Sequence, residues 1–218
     1  MVSIVVNQQN RYAGVRMRFS DRYSIPRELA ALYDFVNSLD LRRFREQGVQ
    51  HTPSDALASR AEAQAWMRAH DLLMPRRLLS KEEYRRALAL RQALRAFIEA
   101  APAKRSKNRD IGEGLETAAA AFPLLLSTAQ HGLALSPKGA NRLGHVLAEL
   151  NHLVETAQLD RLKMCESPEC HWVFFDRTKP ANRRWCSSDR CGNRVKVRAF
   201  RQRHRSDGGG NRHARACD

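Results

Sequence analysis

Apolar residues recur at helical spacing through most of the first 160 positions. Leu29, Leu32, Val36 and Leu39 fall three or four apart, and Pro26 sits where a first helical turn accepts proline. Thr52-Pro53-Ser54-Asp55 reads as a second start signal, leading into Leu57, Ala61, Ala65 and Trp66. Ser80 and Glu83 have the spacing of a capping box, and Tyr84, Leu88, Leu94, Phe97 and Ile98 continue a helix of about 20 residues. Lys104 to Arg109 is a polar connector that no apolar period crosses, so a loop is expected there. Leu143, Val146, Leu147, Leu150, Val154 and Leu159 mark another amphipathic helix from Ala140.

Strand signals are fewer. Val15, Met17 and Phe19 alternate within Tyr12–Phe19. Pro123 breaks any continuous helix through residues 115–160. Leu124–Thr128 and Gly132–Ser136 can pair as a hairpin, although three consecutive leucines also suit a helix. The pattern predicts a mainly α (α+β) protein. Residues 1–22 form an extension, 23–160 a mostly helical domain with a few short strands, and 161–205 a small separate module. Residues 206–218 are a polar tail expected to be disordered.

Four cysteines define the small module. Cys165 and Cys170 are separated by four residues, fifteen follow, and Cys186 and Cys191 repeat the spacing. Two close pairs at that distance suit one tetrahedral Zn²⁺, each pair biting the ion from one turn. Four thiolates close the coordination shell, so the ion is expected to be structural, as a catalytic zinc keeps a position open. No basic leader or long apolar run precedes the module, so a reducing, cytoplasmic setting is expected, where paired cysteines favour metal over disulfides. His171 adjoins Cys170 but four sulfurs suffice. Cys217, in the tail, has no assigned role.

Between the pairs, Trp172–Phe175 reads as an aromatic strand, with Arg184-Trp185-Cys186 expected to return beside it as partner. Ser187 or Ser188 is placed to cap the helix that follows. The order of knuckle, hairpin, knuckle and helix is treble-clef-like.

Charge sharpens the picture. The net charge is +15, and residues 161–205 hold 13 Lys/Arg against 4 Asp/Glu. From Gly192 to Arg205 there is no acid. Arg194, Arg198, Arg201 and Arg205 fall within about 60° of arc on a helix, with Val197 and Phe200 on an adjacent stripe expected to pack it onto the hairpin. Lys196 and Arg203 widen the cationic field, and Arg183 and Arg184 add to it. These eight residues are the candidate nucleic-acid contacts, because arginine forks suit phosphate and guanine. DNA is the expected partner. An RNA-associated or protein-interaction module with a basic face is the alternative. No Ser/His/Asp set, phosphate-cradling glycine loop or HExxH occurs, so no catalytic residue is assigned.

With Cys191-Gly192-Asn193-Arg194 in place, residues 161–205 resemble the bacterial CGNR zinc-finger family. Both cysteine pairs, the strand ending Asp176-Arg177 and Arg184-Trp185-Cys186-Ser187 carry the likeness. Upstream, Leu32–Asp40 is similar to the LDFVNT-like helix of the ABATE domain, and Leu88–Arg95 to its central helix. The resemblance implies a stress-related transcription regulator whose finger binds DNA and whose upstream domain senses a small-molecule effector or forms a homodimer. It carries the zinc ligands onto Cys165, Cys170, Cys186 and Cys191.

Overall fold

A computed structural model describes residues 11–12, 15–16, 18–46, 49–105, 107–129 and 132–207. Strands β1 (Arg11–Tyr12) and β2 (Val15–Arg16) pair antiparallel, and a helical turn, α1 (Phe19–Arg22), follows. Phe19 therefore starts a helix instead of ending a strand, where its ring meets Trp172 edge-on at 4.9 Å. Met17 and the tail from residue 208 lie outside the described residues.

After a 3-10 turn at Arg27–Leu29 comes α2 (Ala30–Val36), shorter than the apolar period to Leu39 predicts. Every residue from Leu32 to Ser38 is buried. The helix stops because Asn37 turns its amide onto another segment, described below, and Leu39–Asp40 leaves as strand β3. The two-residue strands β4 (Arg45–Glu46) and β5 (Val49–Gln50) pair together, while β6 (Ser54–Asp55) pairs with β3. The start signal at Thr52–Asp55 thus falls on a strand. The helix α3 (Arg60–Ala69) begins later, capped by Ser59, whose hydroxyl accepts from Glu62 N. Its buried face is Ala63 and Met67, not Ala61 and Ala65.

The capping box forms as expected at the head of α4 (Lys81–Glu99), with Ser80 and Glu83 bonded reciprocally. The polar connector beyond it holds a short helix, α5 (Pro102–Arg105), before α6 (Arg109–Ala119). It is ordered by Arg105, which is buried and donates to the carbonyls of Ile98, Ala100, Leu159 and Leu162. Those acceptors include the last turn of α4, where carbonyls otherwise lack partners. Strands β7 (Leu124–Ala129) and β8 (Gly132–Pro137) make the hairpin, with Leu126 opposite Leu135. It leaves Leu126 and Leu133 largely exposed. Helix α7 (Gly144–Glu155) packs against α2, and Glu149 accepts from the N–H groups of Ala31 and Leu32 at the head of that helix.

A 3-10 turn at Leu159–Arg161 leads to β9 (Leu162–Met164), which pairs antiparallel with β10 (Val173–Phe175). A wide π-type turn over Ser188–Gly192 then runs into α8 (Asn193–Asp207). The fold is mainly α with short antiparallel strand pairs. Its principal apolar core, built on α2, α4 and α7, runs without a break into Leu162, Met164 and Val173 of the β9–β10 pair.

Candidate metal centre

The β9–β10 hairpin closes a loop that carries the first cysteine pair. Cys165 follows β9, and its N–H donates to Trp172 O beside the start of β10. Within the loop, Cys170 N donates to Ser167 O, and His171 adopts a left-handed backbone (φ 49°) that turns the chain into the strand. The strand partner of β10 is therefore Leu162–Met164, not Arg184–Cys186. The return segment stays irregular because a buried carboxylate gathers it. Asp176 accepts from the Thr178 hydroxyl, the N–H groups of Thr178 and Arg183, and Lys163 Nζ. Burial pushes its carboxyl up, but these donors outweigh it and hold the pKa at about 2. The segment is still tied back to the first knuckle, where Glu166 N donates to Arg184 O and Arg184 Nε donates to the Glu166 carboxylate.

Ser187 caps the π-type turn, accepting from Arg190 N, and this turn delivers Cys191. Gly192 follows, where an added Cβ would sit 3.1 Å from the Trp185 ring and require that ring to shift by a few tenths of an ångström. The four sulfurs converge, all lying within 4.8 Å of one another. Cys170 and Cys186 are 3.7 Å apart, and Cys186 and Cys191 3.6 Å. A tetrahedral Zn²⁺ with sulfur ligands at about 2.3 Å separates them by about 3.8 Å. No pair is at disulfide distance, and all four thiols are free. Four buried or half-buried thiols at that spacing fit one structural zinc ion. Bound there, zinc would keep all four as thiolates and cross-link the two knuckles. His171 stands outside the cluster.

Two family models match the chain. The first, described as "CGNR zinc finger", covers residues 161–204. The second, ABATE, described as "Putative stress-induced transcription regulator", covers residues 29–159, more than half of the chain. The chain belongs to the ABATE family. No curated protein matches it.

The ABATE body and the CGNR finger share an aromatic cluster in which Tyr33 and Phe44 of the body meet Trp172, Phe174 and three of the cysteines. Trp172 Nε1 donates to Tyr33 Oη at 2.9 Å. Arg95 of α4 donates to the carbonyls of Val36 and His171, joining the motif helix to the first knuckle. Arg91 holds Asp55 with two short bonds and also reaches Ser38 Oγ. Composition counts these arginines only as charge. Their one sequence signal was position, since Arg91 and Arg95 lie on the apolar side of α4 with Leu90, Leu94 and Ile98.

The candidate cations of the finger separate into two groups. Arg194 does not join a solvent stripe. Its guanidinium lies 3.6 Å from the Phe44 ring centroid, and Nη2 is 3.4 Å from Cys191 Sγ. A zinc ion with four thiolates carries two negative charges, so a guanidinium against one sulfur neutralises part of that excess. Arg183 also turns inward, donating to Cys186 O and lying over Phe174. Arg184 pairs with Glu166, and Arg198 with Glu169 in the first knuckle. Lys196, Arg201 and Arg203 are exposed on α8. Arg205 falls on the same helix, its side chain outside the described ones. Val197 and Phe200 do not pack onto the hairpin. They are 39% and 56% exposed. Phe200 instead meets His204 of its own helix.

Proposed function

We propose that this protein is a cytoplasmic, DNA-binding transcription regulator without enzymatic activity, in which one structural zinc ion mounts α8 for contact with the duplex. The observation that carries the reading is the single-sign helix. From Gly192 to Arg205 the chain has no acid, and α8 extends from the metal centre with Lys196, Arg201 and Arg203 exposed. Such a surface suits phosphate contacts and counterion release. The cation field is narrower than the bare sequence suggests, because Arg183 and Arg194 serve the finger itself. The remaining contacts are Arg184, Lys196, Arg198, Arg201, Arg203 and Arg205, with Arg184 exchanging Glu166 and Arg198 exchanging Glu169 for phosphate. Family membership and the thiol cluster support a metal-binding regulator, and among the described residues no helix is long and apolar enough to cross a membrane.

A second reading, RNA or single-stranded nucleic acid, rests on Phe200, an exposed ring on a basic helix that offers a stacking platform. Fluorescence anisotropy with zinc-loaded protein on duplex DNA, structured RNA and single strands separates the two. Duplex binding that is tightest of the three, with log Kd rising with log salt at a slope of roughly 4, is expected for four to five phosphates. Equal, weak and sequence-blind binding to all three would remove the regulator reading.

A further inference from the structure

The exposed apolar pair on α8 has a definite place among the cations. Asn193, Val197, Phe200 and His204 are all exposed, and at about 100° per residue they fall within an arc of about 60°. Phe200 and His204 meet edge-on, 4.1 Å between ring centroids. Cations border this stripe on both sides. Arg201 lies about 40° beyond Val197, and Lys196 about 40° beyond Phe200, with Arg203 just past it. All three are exposed. Arg194, over Phe44, and Arg198, on Glu169, lie further round on the Arg201 side and mark where the helix meets the rest of the chain.

The order of cation, apolar stripe and cation restricts what can cover it. A second copy of the chain would set two cationic borders against each other. Two apolar side chains on a helix of 15 residues bury too little to hold it in a membrane surface. The major groove of a duplex has the matching order. A helix lying in it turns one face to the base edges and its flanks to the two phosphate walls. The methyl group on that groove's floor belongs to thymine.

We propose that Val197 and Phe200 are base-reading residues that contact thymine methyl groups in the major groove, with Arg201 on one phosphate wall and Lys196 and Arg203 on the other. The inference rests on the DNA-binding reading above and adds a source of base preference, which phosphate contacts alone do not supply. Val197 and Phe200 are separated by about 4.5 Å along the helix axis, close to the roughly 3.4 Å base step, so they meet thymines of neighbouring pairs.

The test is fluorescence anisotropy of full-length zinc-loaded protein on an alternating dA·dT duplex and on the same duplex with every thymine replaced by uracil. The two differ only in the methyl group. Burying one methyl changes affinity about fourfold, so two contacts should make the thymine duplex on the order of tenfold tighter. Val197→Ala and Phe200→Ala should each reduce that ratio to about fourfold, and the double variant to about one, with zinc content unchanged. Lys196→Ala should weaken both duplexes alike and keep the ratio. Equal affinity of the native protein for the two duplexes would overturn base reading while leaving duplex binding in place, and failure to bind either duplex would overturn both. A Phe200→Ala loss that is the same on both duplexes, or greater on single-stranded oligothymidylate, would assign the ring to stacking and also overturn the proposal. The comparison of thymine with uracil uses the native chain, so it decides the matter even if a variant folds poorly.

Discussion

Asn37 and Val173 hold one another as neighbouring strands do. Asn37 Nδ2 donates to Val173 O at 3.0 Å, and Val173 N–H donates to Asn37 Oδ1 at 3.0 Å. Both residues are fully buried. The side-chain amide supplies the edge that β10 lacks on the side away from β9, so one residue ends α2 and docks the finger.

Replacing Asn37 with leucine keeps the volume but orphans a buried N–H and a buried C=O. Each costs about 1–3 kcal/mol, so a loss of about 2–5 kcal/mol is expected in urea unfolding of the zinc-loaded protein. A loss below about 0.5 kcal/mol would show that the paired amide contributes little.

Continuity of the core changes what zinc removal should do. Read from sequence, the finger is a separable module whose loss leaves the helices intact. The structure instead places Leu162, Met164 and Val173 in the core of the ABATE body and ties α2 to β10. Chelation, or Cys186→Ser, should therefore abolish metal binding and also expose the motif helix. Hydrogen exchange is expected to rise in residues 162–175 and in 30–38 together. Unchanged protection at 30–38 would return the finger to independence.

What was legible in the chain was local. The cysteine spacing carried the thiol cluster because each knuckle is a short closed loop. Ser80 with Glu83 was readable because it rests on contacts three residues apart, while the cap at Ser187 or Ser188 and the hairpin of Leu124–Thr128 with Gly132–Ser136, against a helix, were narrowed to two choices each. Pairings across long separations were not. Nothing near Val173 says that its strand partner is Met164 or that Asn37 covers its other side. Charge misled in the same way, since Arg91, Arg95 and Arg105 are buried on backbone and carboxylate oxygens while composition counts them as surface. Val197 and Phe200 show the converse: helical spacing implies a packed face only if something lies opposite.

The two roles assigned to the finger's arginines separate experimentally. Arg201→Ala should lower the slope of log Kd against log salt by about one and leave zinc affinity alone, if that residue meets a phosphate. Arg194→Ala should do the reverse, weakening metal retention against a competing chelator roughly 10–100-fold, as for other residues that support metal ligands. Should Arg194→Ala change only the salt slope, its contact with Cys191 would carry no function.

The last prediction concerns pH. Glu149 accepts from Ala31 and Leu32 N–H, yet burial outweighs those bonds and pushes its carboxyl up to about 7. The folded state then binds a proton that the unfolded chain, with its glutamate near 4.5, has released. Stability from this group is present at low pH and is lost as pH rises from about 4.5 through 7, by up to about 3 kcal/mol. Glu149→Gln keeps an acceptor for Leu32 N–H and cannot titrate. Between pH 5.5 and 8 the wild type should lose stability relative to this variant, both zinc-saturated so that the thiol contribution cancels. A difference that stays flat over that range, measured by urea unfolding at each pH, would place the Glu149 proton in solvent instead of at the head of α2.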